Sequence, residues 1–385
     1  MHNGRYPDLV KVLRGFQETG VPLVMHNGSH PIPYLTDGAD DIGIYLFIPK
    51  IAKMLNLSLD QALNLFFYGI IFGSALLGIL GFCLLYKSTK ARIIAFFGIA
   101  ISLFLPIKIN DVYAIGSCLS IAIVPFYLYL IKEKKPSNII YIFLFCSGIA
   151  IGLANNLRSY SGIGVLLFLL TLLFTHIISI KQKIILCLFI FSGIALPNLY
   201  ITKLVNKYTI YANTQFKENV CLNRHHPFWH NFYIGFGFIN CLNRPGIQWD
   251  DGYAYNKAKE IDPSLDLNDA NKIDSILKGE VFKLLLNDSF FVFSCLFAKI
   301  GVLIFLLLKY ANIFFIGSVF SLFSIEKWKL KLAFIVLIIF NSLYPLVAIP
   351  FPEYSIGLIT AAILYGILII NSYSKEQKNY SYFYD

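Results

Sequence analysis

The chain has 385 residues, of which 57% are hydrophobic and only 14% charged, and its mean hydropathy is +0.66. A soluble globular protein carries roughly 25% charged residues, so this composition excludes an ordinary soluble domain. The net charge of +10 does not indicate nucleic-acid binding, because the Lys and Arg residues lie mostly in short runs between apolar stretches, as the positive-inside rule describes. The sequence therefore predicts an all-α, polytopic membrane protein.

Residues 1–62 are polar and contain neither a membrane span nor a signal peptide. An amphipathic helix is predicted from Pro7, since apolar residues recur there at helical spacing. This helix lies along the bilayer surface or packs on the rest of an outer domain. The apolar residues on its one face are Leu9, Val10, Leu13 and Phe16. A second helix of this kind is predicted over 269–286, with the same two alternatives.

Nine apolar stretches follow, and one large hydrophilic loop at 203–288 separates the sixth from the seventh. Backbone groups in lipid must be hydrogen-bonded within the segment, so the stretches are predicted to be helices. The seventh stretch could hold two spans broken near Lys309, but the lysines of 327–331 would then lie outside, against the charge rule. We therefore favour one span near 303–325, with 289–301 at the interface or re-entering the membrane. The expected stretches are 63–86, 93–107, 113–131, 138–155, 162–180, 184–202, 289–325, 332–349 and 354–371.

Short runs of Lys and Arg set the orientation. They follow the first, third and fifth spans, precede the eighth and follow the ninth, which places those ends in the cytoplasm. The loop and the N-terminal segment then lie outside, and since nothing before that segment would direct translocation, we expect relatives to have a further span upstream. The expected parts are an outer N-terminal segment at 1–62, a six-span region at 63–202, an outer loop domain at 203–288, a C-terminal membrane region at 289–371 and a cytoplasmic tail at 372–385.

Three carboxylates, Asp37, Asp40 and Asp41, lie within five positions of the first outer segment, just before an apolar stretch. Neighbouring carboxylates repel one another, so one stays protonated or a cation lies between them. Such a cluster can supply a general base or bind a divalent cation, Mg²⁺ or Mn²⁺, through oxygen. The alternative is a solvated turn.

Further candidate substrate-binding residues lie at the outer ends of spans. Arg158 can bind phosphate or carboxylate through two parallel hydrogen bonds. Asp111 lies in another outer turn, and Glu353 and Tyr354 follow two prolines in the last one. The structural alternatives are an interfacial anchor for Arg158 and an interfacial helix start for Glu353 and Tyr354.

The large loop combines histidines, aromatic residues and carboxylates. This mixture is typical of a polar cleft that binds substrate, of a metal site or of a structural aromatic cluster. His226 and His230 would share one face of a helix, but the proline and glycines around them favour an irregular segment. The candidate residues are His226, Trp229, His230, Asp250 and Asp251.

Two of the seven cysteines, Cys221 and Cys241, also lie in this loop. If the loop faces an oxidising compartment, they form a disulfide that closes a loop of about twenty residues. Otherwise they are two free thiols. The other five lie in or beside apolar stretches, where Cys behaves as a small hydrophobic residue.

The layout as a whole resembles that of the GT-C glycosyltransferases, which include the polyprenyl-linked aminoarabinose transferases and the protein O-mannosyltransferases. The shared features are an acidic first outer loop, an Arg at an outer helix end, a large outer loop and a final Pro/Tyr turn. The segment Gly4–Leu9, followed by Gly20, is similar to the segment after the catalytic acid of that family. Here His2 and Asn3 stand where the family has an acidic pair.

This resemblance implies a transferase of a bacterial inner membrane that moves a sugar from a polyprenyl-phosphate carrier to an acceptor outside the cytoplasm. It implies that Arg158 contacts the carrier phosphate. In this chain the catalytic acid is expected to be Asp40 or Asp41, acting with no cofactor or with a divalent cation. The alternatives are that the catalytic acid lies upstream or that the chain is inactive. Two other functions remain open: a transporter or flippase for a lipid-linked or small polar substrate, and a non-enzymatic membrane assembly protein.

Overall fold

The computed structural model of the protein describes residues 5–34, 42–133, 137–175, 179–216, 228–239, 245–267, 269–322 and 328–373. Two short strands, β1 (Met25–His26) and β2 (Pro31–Ile32), pair antiparallel after the first helix. The helices are α1 (Tyr6–Thr19), α2 (Ile42–Leu55), α3 (Leu59–Leu85), α4 (Thr89–Ile109), α5 (Ile115–Lys132), α6 (Ser137–Leu157), α7 (Ile163–Thr175), α8 (Ile180–Gln215), α9 (Phe228–Gly235), α10 (Asp251–Ile261), α11 (Ala270–Asn287), α12 (Ser289–Tyr310), α13 (Ile313–Leu322), α14 (Trp328–Val347) and α15 (Pro352–Tyr373). In the described residues, 3-10 turns span Val112–Ala114 and Phe236–Phe238.

Eight helices in the described part of the chain are long and apolar enough to cross a membrane. They are α3, α4, α5 with the 3-10 turn before it, α6, α8, α12, α14 and α15. The helix α7 is apolar but shorter, with 13 residues. The prediction of an all-α polytopic membrane bundle is therefore confirmed.

The last helix, α15, forms the centre of the bundle. Its most apolar window is 83% buried, whereas those of α8 and α14 are each 28% buried. It packs against α4, α5, α13 and α14. The surrounding helices thus turn broad apolar faces outward, as helices in contact with lipid do.

The region 289–325 differs from the expected arrangement. The helix α12 begins at Ser289 and continues to Tyr310, so the stretch expected at the interface is the first half of a span-length helix. The chain breaks only after that, at Asn312, whose φ of 42° is left-handed. Asn adopts this conformation more readily than most residues. The helix α8 also runs further than expected, to Gln215.

Three hydrophobic clusters hold the fold together. The largest lies inside the bundle, the second joins α1, the strands and α2 to the start of α3 and to α8, and the third joins α9, α10 and α11 to the start of α12. In α1, Leu9 is 1% exposed and belongs to the second cluster, and the partly buried Val10 and Leu13 pack against it. The amphipathic face expected in α1 therefore packs on the protein. We call α9, α10 and α11 the outer unit.

The helix α4 connects two chemically different ends of the bundle. Near its start, Arg92 donates from Nε to the Tyr86 carbonyl, and Lys132 donates to the Leu85 carbonyl. Its 21 residues, at 1.5 Å each, span about 31 Å. At its far end, Asn110 leads into the 3-10 turn that carries Tyr113. The basic residues expected in the cytoplasm and the Tyr113 turn thus lie at opposite ends.

Candidate functional site

A cleft of about 280 Å³ opens at the Tyr113 end of the bundle. Its walls come from the turn before α5, the residues after α6, the last turns of α14, the first turn of α15 and one face of α9. The lining is mainly apolar and aromatic, and Arg158 and Glu353 are its charged members. An apolar cleft with a few convergent polar groups is the usual form of a ligand site.

Arg158 is placed by the end of α6. Its backbone N–H donates to the Ala154 carbonyl at 2.9 Å, directly after the last helical residue. The chain then turns through Tyr160, whose φ of 67° is left-handed, and the N–H of Gly162 donates to the Asn155 side chain at 2.7 Å. These contacts tie the Arg158 turn to the helix before it and lead into α7.

Three tyrosines surround the Arg158 guanidinium. Its Cζ lies 4.8 Å from the Tyr113 ring centroid and 5.7 Å from that of Tyr344, and Nη2 donates to the Tyr344 hydroxyl at 3.4 Å. Tyr354 packs against both, with ring centroids 5.0 Å from each. A cation held over aromatic faces keeps its charge while losing freedom. The guanidinium of Arg158 is therefore held in a fixed position at the cleft wall.

A second arginine reaches the same Tyr113 ring from the N-terminal segment. The Cζ of Arg5 lies 5.5 Å from its centroid, and Nη1 lies 3.6 Å from the Asp111 carboxylate. The other Asp111 oxygen accepts the N–H of Val112 at 2.6 Å, so Asp111 caps the turn that carries Tyr113. Asp111 thus lies behind the cleft wall and contacts Arg5.

Glu353 and Tyr354 occupy the first turn of α15 and both line the cleft. A carboxylate at a helix N-terminus is stabilised by the helix dipole. Among the predicted site residues that the structure describes, Arg158, Glu353 and Tyr354 are brought together in this cleft.

Asn341 supplies a polar group to the cleft lining. Its Nδ2 donates to the Leu337 carbonyl at 2.8 Å. Glycines stand opposite on two neighbouring helices, because a Cβ at Gly164 or Gly357 would clash with the Asn341 amide. The close approach of α7 and α15 to α14 therefore depends on those glycines.

Sequence reasoning missed Asn341, Tyr113 and Tyr344. Tyr113 lies two residues after Asp111, and Tyr344 precedes a proline near the outer end of a span. Both tyrosines lie in or near outer turns, where a substrate site was expected, but tyrosine is common at membrane interfaces. Among 24 tyrosines, only tertiary contacts separate these two from the rest.

The aromatic and histidine run of the large loop forms α9, and its residues divide between two surroundings. Phe228 and Asn231 line the cleft. Trp229 packs instead on Phe282 of α11, with ring centroids 5.5 Å apart. The helix α9 therefore contributes to the cleft through Phe228 and Asn231, which are the sequence neighbours of the predicted residues Trp229 and His230.

His230 lies inside the outer unit and is 4% exposed. Its ring stacks on Tyr255 at 5.3 Å, and Nε2 lies 3.5 Å from an Asp251 carboxylate oxygen without hydrogen-bond geometry. Burial lowers the pKa of His230, and the carboxylates of Asp251 and Asp274 only partly oppose this shift. The imidazole is therefore neutral at pH 7, and it lies outside the cleft lining.

Asp250 and Asp251 lie at the start of α10, also outside the cleft lining. The Asp250 carboxylate accepts the N–H of Tyr253 at 3.0 Å and so caps this helix. The Asp251 side chain is 71% exposed. An N-terminal position in a helix accounts for both carboxylates.

Several predicted residues lie outside the described part of the chain: Asp37, Asp40, Asp41, Cys221, His226 and Cys241. The description resumes at Ile42, the first residue of α2. There Gly43 packs so closely against the backbone of Asn156 and Leu157 that a Cβ would clash. The start of α2 therefore lies beside the end of α6, where Arg158 follows. Among the described residues, no group of three or more His, Cys, Asp or Glu could hold a metal ion.

No protein-family model, curated protein or solved structure matches this chain. The functional argument therefore depends on the cleft and on the residues around it.

Proposed function

We propose that the protein is a GT-C-like glycosyltransferase of a bacterial inner membrane, which moves a sugar from a polyprenyl-phosphate carrier to an acceptor on the extracytoplasmic side. The observation that carries the proposal is the place of Arg158, held between Tyr113 and Tyr344 in a mainly apolar cleft. A lipid phosphate joins an anion to a hydrocarbon chain. The cleft offers a partner for each.

In this proposal Arg158 binds the carrier phosphate. A guanidinium presents a planar fork that matches two phosphate oxygens. When the bond between sugar and phosphate breaks, the electron pair stays on the phosphate oxygen. A fixed cation where negative charge develops lowers the barrier more than most other effects.

The base in this proposal is Asp40 or Asp41, which immediately precede α2. The packing of Gly43 against Asn156 and Leu157 supports it, because α2 begins next to the Arg158 turn. The carboxylate takes the proton of the acceptor hydroxyl, or holds a divalent cation against the phosphate. The acceptor oxygen then bonds to the anomeric carbon from the side opposite the phosphate, and the configuration inverts.

Glu353 and the outer unit complete the proposed substrate site. The Glu353 carboxylate lies in the cleft lining and can accept hydrogen bonds from sugar hydroxyls. Phe228 and Asn231 bring the outer unit into the same lining. Acceptor selection therefore falls to α9, with Trp229, His230, Asp250 and Asp251 acting through the shape of the unit.

A transporter is the runner-up, and the surroundings of Lys299 argue against it. An ionisable residue inside a span often marks a transport pathway, and Lys299 is 0% exposed in α12. Its ammonium donates to the carbonyls of Leu346, Val347 and Ala348, at 3.0, 3.0 and 2.7 Å. An ammonium has three donors. All three are used to cap α14, which gives Lys299 a structural role.

The test compares lipid extracts and envelope glycans of cells with and without the protein. Loss of the protein is expected to leave a polyprenyl-phosphate-linked sugar unconsumed and to remove one sugar from the envelope. Wild-type protein is expected to restore both, whereas Arg158→Gln and the double variant Asp40→Asn/Asp41→Asn fail at wild-type abundance. Unchanged lipids and glycans, or full restoration by the double variant, would contradict the proposal.

A further inference from the structure

We infer that the junction of α11 and α12 is embedded in the bilayer surface, so that the outer unit is anchored on lipid through the end of α11. The residues concerned are Phe282, Leu286, Phe290, Phe293 and Phe297, which we call the junction face. The inference concerns a lipid contact and does not depend on the proposed activity.

The two helices meet almost without a linker. The helix α11 ends at Asn287 and α12 begins at Ser289. The residue between them, Asp288, accepts the N–H of Phe291 with its carboxylate at 3.0 Å and caps α12. The last turn of α11 is therefore fixed next to the first turn of a span-length helix.

Exposed apolar residues lie on both sides of this junction. On α12 they form a stripe whose members recur every three or four residues, the spacing of one helical face. In α11, Phe282 and Leu286 are 45% and 81% exposed, and in α12 Phe290 and Phe297 are 74% and 70% exposed. The stripe extends along α12 through Ile300, Ile304 and Leu308, which are also exposed.

The opposite face of α11 is already covered. Ile273, Leu277 and Val281 are 2%, 0% and 4% exposed and belong to the core of the outer unit. The amphipathic face predicted for 269–286 therefore packs on protein and not on the bilayer surface. Phe282 and Leu286 remain exposed at the end of the helix, next to the first turn of α12.

The α11 side of the junction also has the chemistry of a membrane interface. Lys278 stands four residues before Phe282 and is exposed. Its Nζ lies 5.7 Å from the Trp229 ring centroid. Trp and Lys are typical of the interfacial layer, where the ring meets the headgroup region and the ammonium reaches phosphate or water.

Lipid is the occupant that these observations favour. The stripe on α12 belongs to a helix long and apolar enough to cross the membrane, so its outward face contacts lipid. Leu286 stands four residues before Phe290, and Phe282, Leu286 and Phe290 are 45%, 81% and 74% exposed. Exposed apolar residues grouped next to the lipid-facing side of a span are expected in hydrocarbon rather than in water. A second copy of the chain covering the face is the competing occupant.

The test uses the full-length protein in lipid nanodiscs, with the photoreactive residue p-benzoyl-phenylalanine introduced in place of Leu286. The matched control places it at Lys259, an exposed position on α10. The reference places it at Phe297, midway along α12. After illumination, mass spectrometry identifies peptides that carry a phospholipid and peptides joined to another protein chain.

Phospholipid adducts are expected at Leu286 and Phe297, with at least tenfold fewer at Lys259. Adducts at Phe297 without adducts at Leu286 would overturn the inference. Dominant crosslinks from Leu286 to a second protein chain would also overturn it, because the face would then be a dimer contact. All three variants keep the buried residues of α11, so folding is not at issue.

Discussion

The Arg158 guanidinium carbon lies 4.8 Å from the centre of the Tyr113 ring. Arg5 approaches the same ring to 5.5 Å, but it is paired with Asp111. Tyr113 therefore links the N-terminal segment to the cleft, and it orients the arginine that we expect to bind phosphate.

The first prediction concerns this ring. Tyr113→Ala is expected to weaken binding of a polyprenyl phosphate by about 0.5–2 kcal/mol, the range of a cation–π contact. Tyr113→Phe keeps the ring and should bind nearly as well as wild type. Isothermal titration in detergent measures both. Equal weakening by Ala and Phe would assign the effect to the hydroxyl and refute the role of the ring.

The second prediction concerns Lys299. Replacing it with Met keeps the length of the side chain but leaves the last carbonyls of α14 without their donor. A buried polar group left without a partner costs about 1–3 kcal/mol, so the thermal unfolding midpoint is expected to fall. Lys309→Met, at an exposed position of the same helix, is the control and should change little. A similar midpoint for both variants would refute this structural role.

The third prediction concerns the start of α9, which carries Phe228 into the cleft. The Asp274 carboxylate accepts the N–H groups of Trp229 and His230 at 2.6 and 3.1 Å. Removing a helix cap costs about 1 kcal/mol, so Asp274→Ala should speed hydrogen exchange in α9. The neighbouring exposed substitution Ser275→Ala should leave it unchanged. Equal exchange in the two variants would show that the cap is not needed.

The fourth prediction concerns pH and His230. Burial lowers the pKa of His230 in the folded state below its ordinary value of 6.5. The folded state thus favours the neutral imidazole, and its contribution to stability is present above pH 6.5 and is lost as the pH falls through the lower folded pKa. After correction for intrinsic rates, α9 should exchange faster at pH 5 than at pH 7.5. His230→Gln should remove most of this difference. A difference of the same size in the variant would contradict the prediction.

The spans were predictable because the membrane constraint is local. A helix in lipid must be apolar along its own length, so a window of sequence carries the signal. The favoured single span near 303–325 was wrong, because α12 begins at Ser289. The chain turns at the left-handed Asn312, close to Lys309, where the alternative of two spans placed a break. The pairing of Cys221 with Cys241 stays a prediction, and non-reducing mass spectrometry can test it.

The cleft was only partly predictable. Arg158 and Glu353 stood out because the short outer turns carry few charged residues. Tyr344 did not, because nothing in the sequence brings the end of α14 to the end of α6. For Asp111 and Asp250 the structure adds a second role that the sequence did not indicate. A carboxylate in an outer turn suggested chemistry, whereas both accept a backbone N–H at the start of a helical turn.

The most direct test of the account is polyprenyl-phosphate binding by Arg158→Gln. Native mass spectrometry of the protein in nanodiscs gives the dissociation constant for a polyprenyl phosphate, and Arg92→Gln at the other end of the bundle is the control. A hydrogen bond to a charged group is worth about 1.5–3 kcal/mol, so the account predicts binding at least tenfold weaker for Arg158→Gln and unchanged for Arg92→Gln. Equal affinity of wild type and Arg158→Gln would contradict it.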